Sequence, residues 1–325
     1  MKPRVPGAGS RFFRRRQLLG AASATGLLAL AAGCAPSTAG RRESVREATG
    51  GLLTQMRSLT GAQILTKTTQ TGMPSGRSSL GGFVPFVFPV AVAATPLDIY
   101  VADAGAGRLY RYDPALNAMA VFPVPVTPQT RLAAGLDGSI LVVTPQAGFP
   151  LRFDRAGNPL QQINANTGSD HYDDATIDPV SGRFYALDRI QRRIDEIHPV
   201  GRVGVVLADR QMPDNPVSLA MDRRMLFVSS RACACVVQID RQTGRQQAII
   251  EDLKDMAALA AGGGWVAVAD SVQRHLFIYR DGMLRGEPSY ESLRLANPQG
   301  VAIVNDSLYV ADGAGRRVVQ FGMRP

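Results

Sequence analysis

The chain has 325 residues, with 36 Lys and Arg against 27 Asp and Glu, a formal charge of +9 and 45% apolar residues. That is enough apolar sequence for a sizeable core, and three cysteines are too few for a disulfide scaffold. The charge hints at a polyanionic partner, but residues 1–33 hold six basic side chains (Lys2, Arg4, Arg11, Arg14, Arg15, Arg16) and no acid, so the rest of the chain carries only +3. So small a field does not track a phosphate backbone, and nucleic acid is excluded as a partner.

In chain order, Arg14-Arg15-Arg16-Gln17-Leu18-Leu19 precedes an apolar stretch, Gly20 to Gly33, of 14 residues. That is short of the ~20 that cross a bilayer as a helix, and it has the form of a signal-peptide core. Arg15 to Leu19 resembles a twin-arginine export signal, with general export as the alternative. Leu30-Ala31-Ala32-Gly33-Cys34 resembles a bacterial lipobox, although Leu is commoner where Ala31 stands. The resemblance implies removal of 1–33, acylation of Cys34 and a membrane anchor; the plainer alternative is an ordinary signal peptide with a chance cysteine. Ala35, rather than Asp, follows the cysteine, which by the same resemblance implies the outer membrane, facing the periplasm.

Residues 34–40 (CAPSTAG) then read as the start of a tether. Residues 41–59 could form a short amphipathic helix interrupted at Gly50-Gly51, and Gly72 to Gly82 is a Gly/Ser/Pro-rich loop. The expected organisation is a signal peptide (1–33), a lipidated tether (34–60) and one folded domain (61–325).

From about Phe83 onward a single pattern recurs: Tyr100-Val-Ala-Asp103, Leu141-Val-Val-Thr144, Tyr185-Ala-Leu-Asp188, Phe227-Val-Ser-Ser230, Ala267-Val-Ala-Asp270 and Tyr309-Val-Ala-Asp312. The steps are 41, 44, 42, 40 and 42 residues, and a β-rich repeat of that length marks propeller blades. The fold class is therefore all-β, a six-bladed β-propeller. Twelve residues before each anchor lies a short apolar run, at Ala91, Leu132, Thr176, Ser218, Ala258 and Gly300, read as the inner, channel-lining strand. The anchor strand is second, and runs such as Tyr110-Arg-Tyr112 and Val318-Val-Gln-Phe321 are third. The sequence stops after the third strand of blade six, so an N-terminal strand is expected to close the ring, with Ile64-Leu-Thr-Lys67 the expected donor.

Asn297-Pro-Gln-Gly300-Val-Ala-Ile, Leu308-Tyr-Val-Ala-Asp312 and Arg316-Arg-Val-Val-Gln-Phe321 together resemble the NHL-repeat family of six-bladed propellers. That family implies a fold and a habit of binding partners rather than one reaction.

Asp103, Asp188, Asp270 and Asp312 are followed four or five residues later by Arg108, Arg192 or Arg193, Arg274, and Arg316 or Arg317; the two blades without the Asp lack the Arg as well. The matched pattern predicts structural pairs (Asp103–Arg108, Asp188–Arg193, Asp270–Arg274, Asp312–Arg316), with carboxylate–guanidinium contacts in at least three of these four blades. A basic ring that recruits an anionic ligand is the alternative. Cys233-Ala-Cys235 sits in the blade-four hairpin, where a local disulfide, a soft-metal site and two inert small residues are all open readings.

For catalysis the residues offer little. Six-bladed lactonases hold a calcium ion with Glu, Asn and Asp at the channel mouth. The matching positions here are Val90, Arg131, Ala175, Val217, Ala257 and Gln299, not the oxygen set a hard cation needs. His171, His198 and His275 fall at dissimilar repeat offsets, and no Gly-x-Ser-x-Gly elbow occurs. No cofactor and no metal are called for. The expected function is a monomeric, envelope-anchored binding module for a protein or polysaccharide partner, with a metal-dependent hydrolase or lactonase as the alternative.

Just before the inner strands lie polar residues expected to ring one mouth of the channel. The blade-three loop Asn164 to Asp174 combines acids, an imidazole and an aromatic ring, a mixture suited to binding. The candidate ligand-facing surface is His171, Tyr172, Asp173 and Asp174 with Arg131, Asn215, Asp255 and Asn297.

Overall fold

The computed structural model describes residues 51–67, 78–144, 147–160, 171–198, 203–208 and 211–324, and contains no α-helix among them. Ahead of the blades run β1 (Leu53–Leu59), β2 (Gly61–Lys67) and β3 (Ser78–Pro85). Blade one is β4 (Pro89–Ala94), β5 (Ile99–Asp103), β6 (Arg108–Asp113) and β7 (Ala118–Pro125). Blade two is β8 (Arg131–Ala134), β9 (Ile140–Val143) and β10 (Leu151–Phe153). Blade three is β11 (Asp174–Ile177), β12 (Phe184–Asp188), β13 (Arg193–Ile197) and β14 (Val203–Ala208). Blade four is β15 (Pro216–Asp222), β16 (Met225–Ser230), β17 (Cys235–Asp240) and β18 (Gln246–Ile250). Blade five is β19 (Met256–Gly262), β20 (Trp265–Asp270), β21 (His275–Arg280) and β22 (Met283–Gly286). Blade six is β23 (Pro298–Val304), β24 (Ser307–Asp312) and β25 (Arg317–Met323).

The protein is thus a six-bladed all-β propeller, with the anchor motif on the second strand of each blade. Both faces of these strands are apolar because successive side chains point to opposite neighbours. In β5, Tyr100 and Ala102 pack toward blade two, while Ile99 and Val101 pack toward blade six. The same alternation gives one hydrophobic cluster at each of the six seams. Every pairing within a blade is antiparallel. The turns between first and second and between third and fourth strands therefore share one face, the turn face. The hairpins between second and third strands share the other, the hairpin face, with the loops that lead into each inner strand.

An N-terminal strand does close the ring, but it is β1 rather than Ile64–Lys67. β1 pairs antiparallel with β25, Leu53 opposite Met323 and Leu59 opposite Val318. It begins inside the span expected to be tether and forms a strand where part of a helix was expected. Ile64 to Lys67 instead belongs to β2, which pairs with β3 and joins the outer edge of blade one beside β7. Only Leu59 of β1 is buried, so the strand is fixed mainly by backbone pairing, to which the letters of the sequence are nearly blind. Gly61 makes the step from β1 to β2 possible: its φ is +148°, and a Cβ there would meet the Val84 carbonyl oxygen at 2.2 Å.

The anchor aspartates are at most 1% exposed, and their partners correct the expected clamp. Asp103 accepts the Val87, Phe88 and Ala106 amides at 2.7, 2.8 and 3.1 Å. Asp270 accepts those of Lys254, Asp255, Val272 and Gln273, and Asp312 those of Ala296, Asn297 and Gly315. Asp188 accepts the Gln191 amide. Each of the first three carboxylates ties the loop entering its blade to the hairpin beside it. A guanidinium joins at Asp312, from Arg317 (Nε at 3.2 Å) and not from Arg316. Arg274 lies over the Tyr290 ring, and Arg193 reaches Asp195 at 2.6 Å. With Asp103 and Asp270 served by backbone amides, the expected contacts in at least three of the four blades are not reached. The recurring arginines have a different cause. Arg192, Arg274 and Arg316 occupy a left-handed turn position (φ 51°, 56° and 53°), filled by Gly107, Gly148 and Ala234 in the other blades.

Candidate functional site

The six inner strands enclose a central channel of about 340 Å³. Its walls are small and apolar, as at Ala91, Ala133, Ala175, Ala220, Ala258 and Ala302. Where the strands begin, on the hairpin face, it is lined by the polar side chains Arg131, Asp174, Ser218 and Gln299, and at the turn-face end by Asp222 and Asn305. Arg131 and Asp174 are the first residues of β8 and β11, which places the cation and the acid on adjacent blades at the channel mouth.

Asp174 is 6% exposed. Its oxygens accept the amides of Ala175 and, from blade four, Leu219, both at 2.8 Å. Burial outweighs these bonds and the attraction of Arg131, and the carboxyl is pushed up to about 6. Asp173, one residue earlier, is more open. It accepts the Arg189 amide at 3.0 Å and lies 3.4 Å from both the Arg189 guanidinium and His171 Nε2.

The expected rim residues divide into two groups. His171, Asp173, Arg131, Asn215, Asp255 and Asn297 are all at least partly exposed and surround the same mouth, since each lies at or just before the start of an inner strand. Tyr172 does not belong with them. It is 1% exposed, packs in the seam between blades two and three, and donates its hydroxyl to the fully buried Asp195 at 2.6 Å; its ring is worth more in the core than at the surface. Asp174 faces the channel rather than the outer rim. Residues 164–170 of the blade-three loop lie outside the described residues.

Sequence reasoning missed how the rim is stitched together. Arg192 reaches across a seam to Asp214 at 2.6 Å and to the Met212 carbonyl, and Arg231 to Asp255 at 3.6 Å. Asp255 also takes the Ser271 hydroxyl at 2.6 Å. Acids at the mouth thus also make blade-to-blade ties, which a repeat alignment inside single blades does not reveal. Cys233 and Cys235 form a disulfide with their Cα atoms 5.1 Å apart, which decides among the three readings left open for that pair. No group of three or more His, Cys, Asp or Glu side chains is placed to hold a metal ion among the described residues.

No protein-family model matches the sequence, and no curated protein matches it. Solved structures do match, at the level of fold. A gluconolactonase from Xanthomonas campestris superimposes with a TM-score of 0.57 at 11% identity, over 83% of this chain and 98% of that one. A chain of a nidogen/laminin complex gives 0.55 at 15%, over 75% and 97%. An auxiliary nutrient binding protein from Bacteroides thetaiotaomicron gives 0.55 at 9%, over 74% and 70%. Identities this low establish a shared propeller architecture, and function follows from the site.

Proposed function

We propose that the protein is an exported lipoprotein, anchored through Cys34 on the periplasmic side of the outer membrane, whose propeller binds a protein or polysaccharide of the cell envelope without catalysis. The observation that carries this reading is the direction of β1. Leu53 lies against Met323, and the Met323 amide donates to Asp306 in a turn-face loop. The chain therefore enters the domain on the turn face. A tether arriving there points the opposite, hairpin face away from the membrane. On that face His171, Asp173, Asn215, Asp255 and Asn297 ring the channel mouth with Arg131, a mixed polar rim of the kind protein and glycan partners use. Similar structures include a chain of a nidogen/laminin complex and a nutrient binding protein, in keeping with a binding role.

Two measurements test the proposal. Cys34→Ser should move the protein from the membrane to the soluble fraction and remove the acyl mass from its N-terminal peptide. Joint replacement of His171, Asp173 and Asn215 by Ala should cut recovery of the cross-linked envelope partner about tenfold, the loss of one or two hot-spot side chains. Replacement of the exposed turn-face pair Arg223 and Asp281 should not. Equal recovery from both sets would place the binding surface elsewhere.

A further inference from the structure

The Cys233–Cys235 disulfide lies in the hairpin between β16 and β17, on the hairpin face. Blades one, three, five and six make the same four-residue turn between paired residues, with its fourth residue left-handed (Gly107, Arg192, Arg274, Arg316), and they do so without a bridge. The turn does not need the disulfide. Nor does a ring spanning three residues restrict much of the unfolded chain, since the entropic gain from a cross-link grows with loop length. The two sulfurs also differ sharply in access: Cys233 is exposed in the turn, whereas Cys235 begins β17 and is 2% exposed within the core between blades three and four.

We propose that this pair is a thiol–disulfide exchange site for a partner dithiol, with Cys233 the sulfur that is attacked. A partner thiolate forms a bond to Cys233 Sγ as the Cys233–Cys235 bond breaks. The electron pair passes to Cys235 Sγ, which takes up a proton. The partner's second thiolate then attacks its own sulfur in the mixed disulfide and releases Cys233 as a thiolate. The partner leaves oxidised by two electrons, and the CxC pair stays reduced. A partner disulfide drives the same steps in reverse. Both states keep the fold, because the reduced hairpin is the one seen in four other blades and a reduced Cys235 packs as a small apolar side chain. The exposed sulfur makes the exchange possible without unfolding.

The test uses the purified full chain, with dithiothreitol as the dithiol and oxidised glutathione as the disulfide. Alkylation should count two more free thiols after brief native treatment with dithiothreitol than before it, while the melting temperature changes by only a few degrees. With glutathione, Cys235→Ser should accumulate about tenfold more mixed disulfide than Cys233→Ser, following the difference in access. A bridge that opens only after unfolding would overturn the proposal. So would equal glutathionylation of the two variants. The wild-type measurement stands even if a variant does not fold.

Discussion

At the scale of single residues, the repeated Asp is a knot for backbone amides. Removing the Asp270 carboxylate strands four amide donors. Asp270→Ala should therefore cost about 3 kcal/mol or more in denaturant unfolding, whereas Arg274→Ala, which gives up a contact with the Tyr290 ring, should cost under ~1 kcal/mol. A charge clamp would make the two losses similar. Asp174 carries the clearest pH dependence. Its folded carboxyl titrates near 6 and its unfolded one near 3.9. Below about pH 4 both states are protonated, and above about pH 6 the folded state holds an unfavourable buried charge. The stability this group contributes is thus present in acid and lost as pH rises between those values, by a few kcal/mol on the order of 1.4 per pKa unit. Asp174→Asn lacks that charge, so its stability relative to wild type should improve between pH 4 and pH 7; a constant difference across that window would contradict the assignment. The aspartates themselves were legible in the sequence. Their partners were not, because a main-chain amide leaves no mark on the letter of its residue. An arginine at a left-handed turn position looks like one recruited for its charge.

At the scale of elements, the inner and anchor strands were the most legible, because each is buried on both faces and reads as a short apolar run. β1 was the least. It reads LTQMRSL, with Leu53, Met56 and Leu59 at spacings that suit a helix, yet all but two of its residues are exposed and only Leu59 is buried. Its identity as a strand comes from the unpaired edge that β25 would otherwise present, a demand set almost 270 residues away in sequence. Deleting residues 1–59 should remove that pairing and the packing of Leu59, about 4 kcal/mol in all, or on the order of 10 °C in melting temperature for a domain of this size. It should also leave a strand edge prone to self-association, which light scattering would detect. If β2 could take over the closure, as the sequence led one to expect, the truncated protein would melt near the wild-type temperature.

At the scale of the whole molecule, the ring is six similar wedges, and backbone meets backbone closely where blade six meets blade one. A Cβ on Gly300 would lie 2.8 Å from the Ala91 Cα and 3.0 Å from the Val90 carbonyl oxygen, all backbone that cannot step aside. Gly300→Ala should cost about 2 kcal/mol in denaturant unfolding, while Gly204→Ala, with open space around it, should be close to neutral. The repeat period disclosed the number of wedges, but the narrowness of this seam arises only when the first and last blades are brought together.

The direction of β1 has a mechanical consequence. Because the chain enters the domain at Leu53 and the strand runs the length of β25 from Met323 to Val318, tension arriving through an N-terminal tether acts along the axis of β1. The hydrogen bonds between the two strands then bear the load together, in shear, instead of parting one after another as they would in a peeled hairpin. Resistance to forced unfolding depends on the rate of barrier crossing under load and not on the equilibrium stability. A domain of ordinary stability can therefore hold fast when its N-terminal end and a load on the hairpin face are pulled apart.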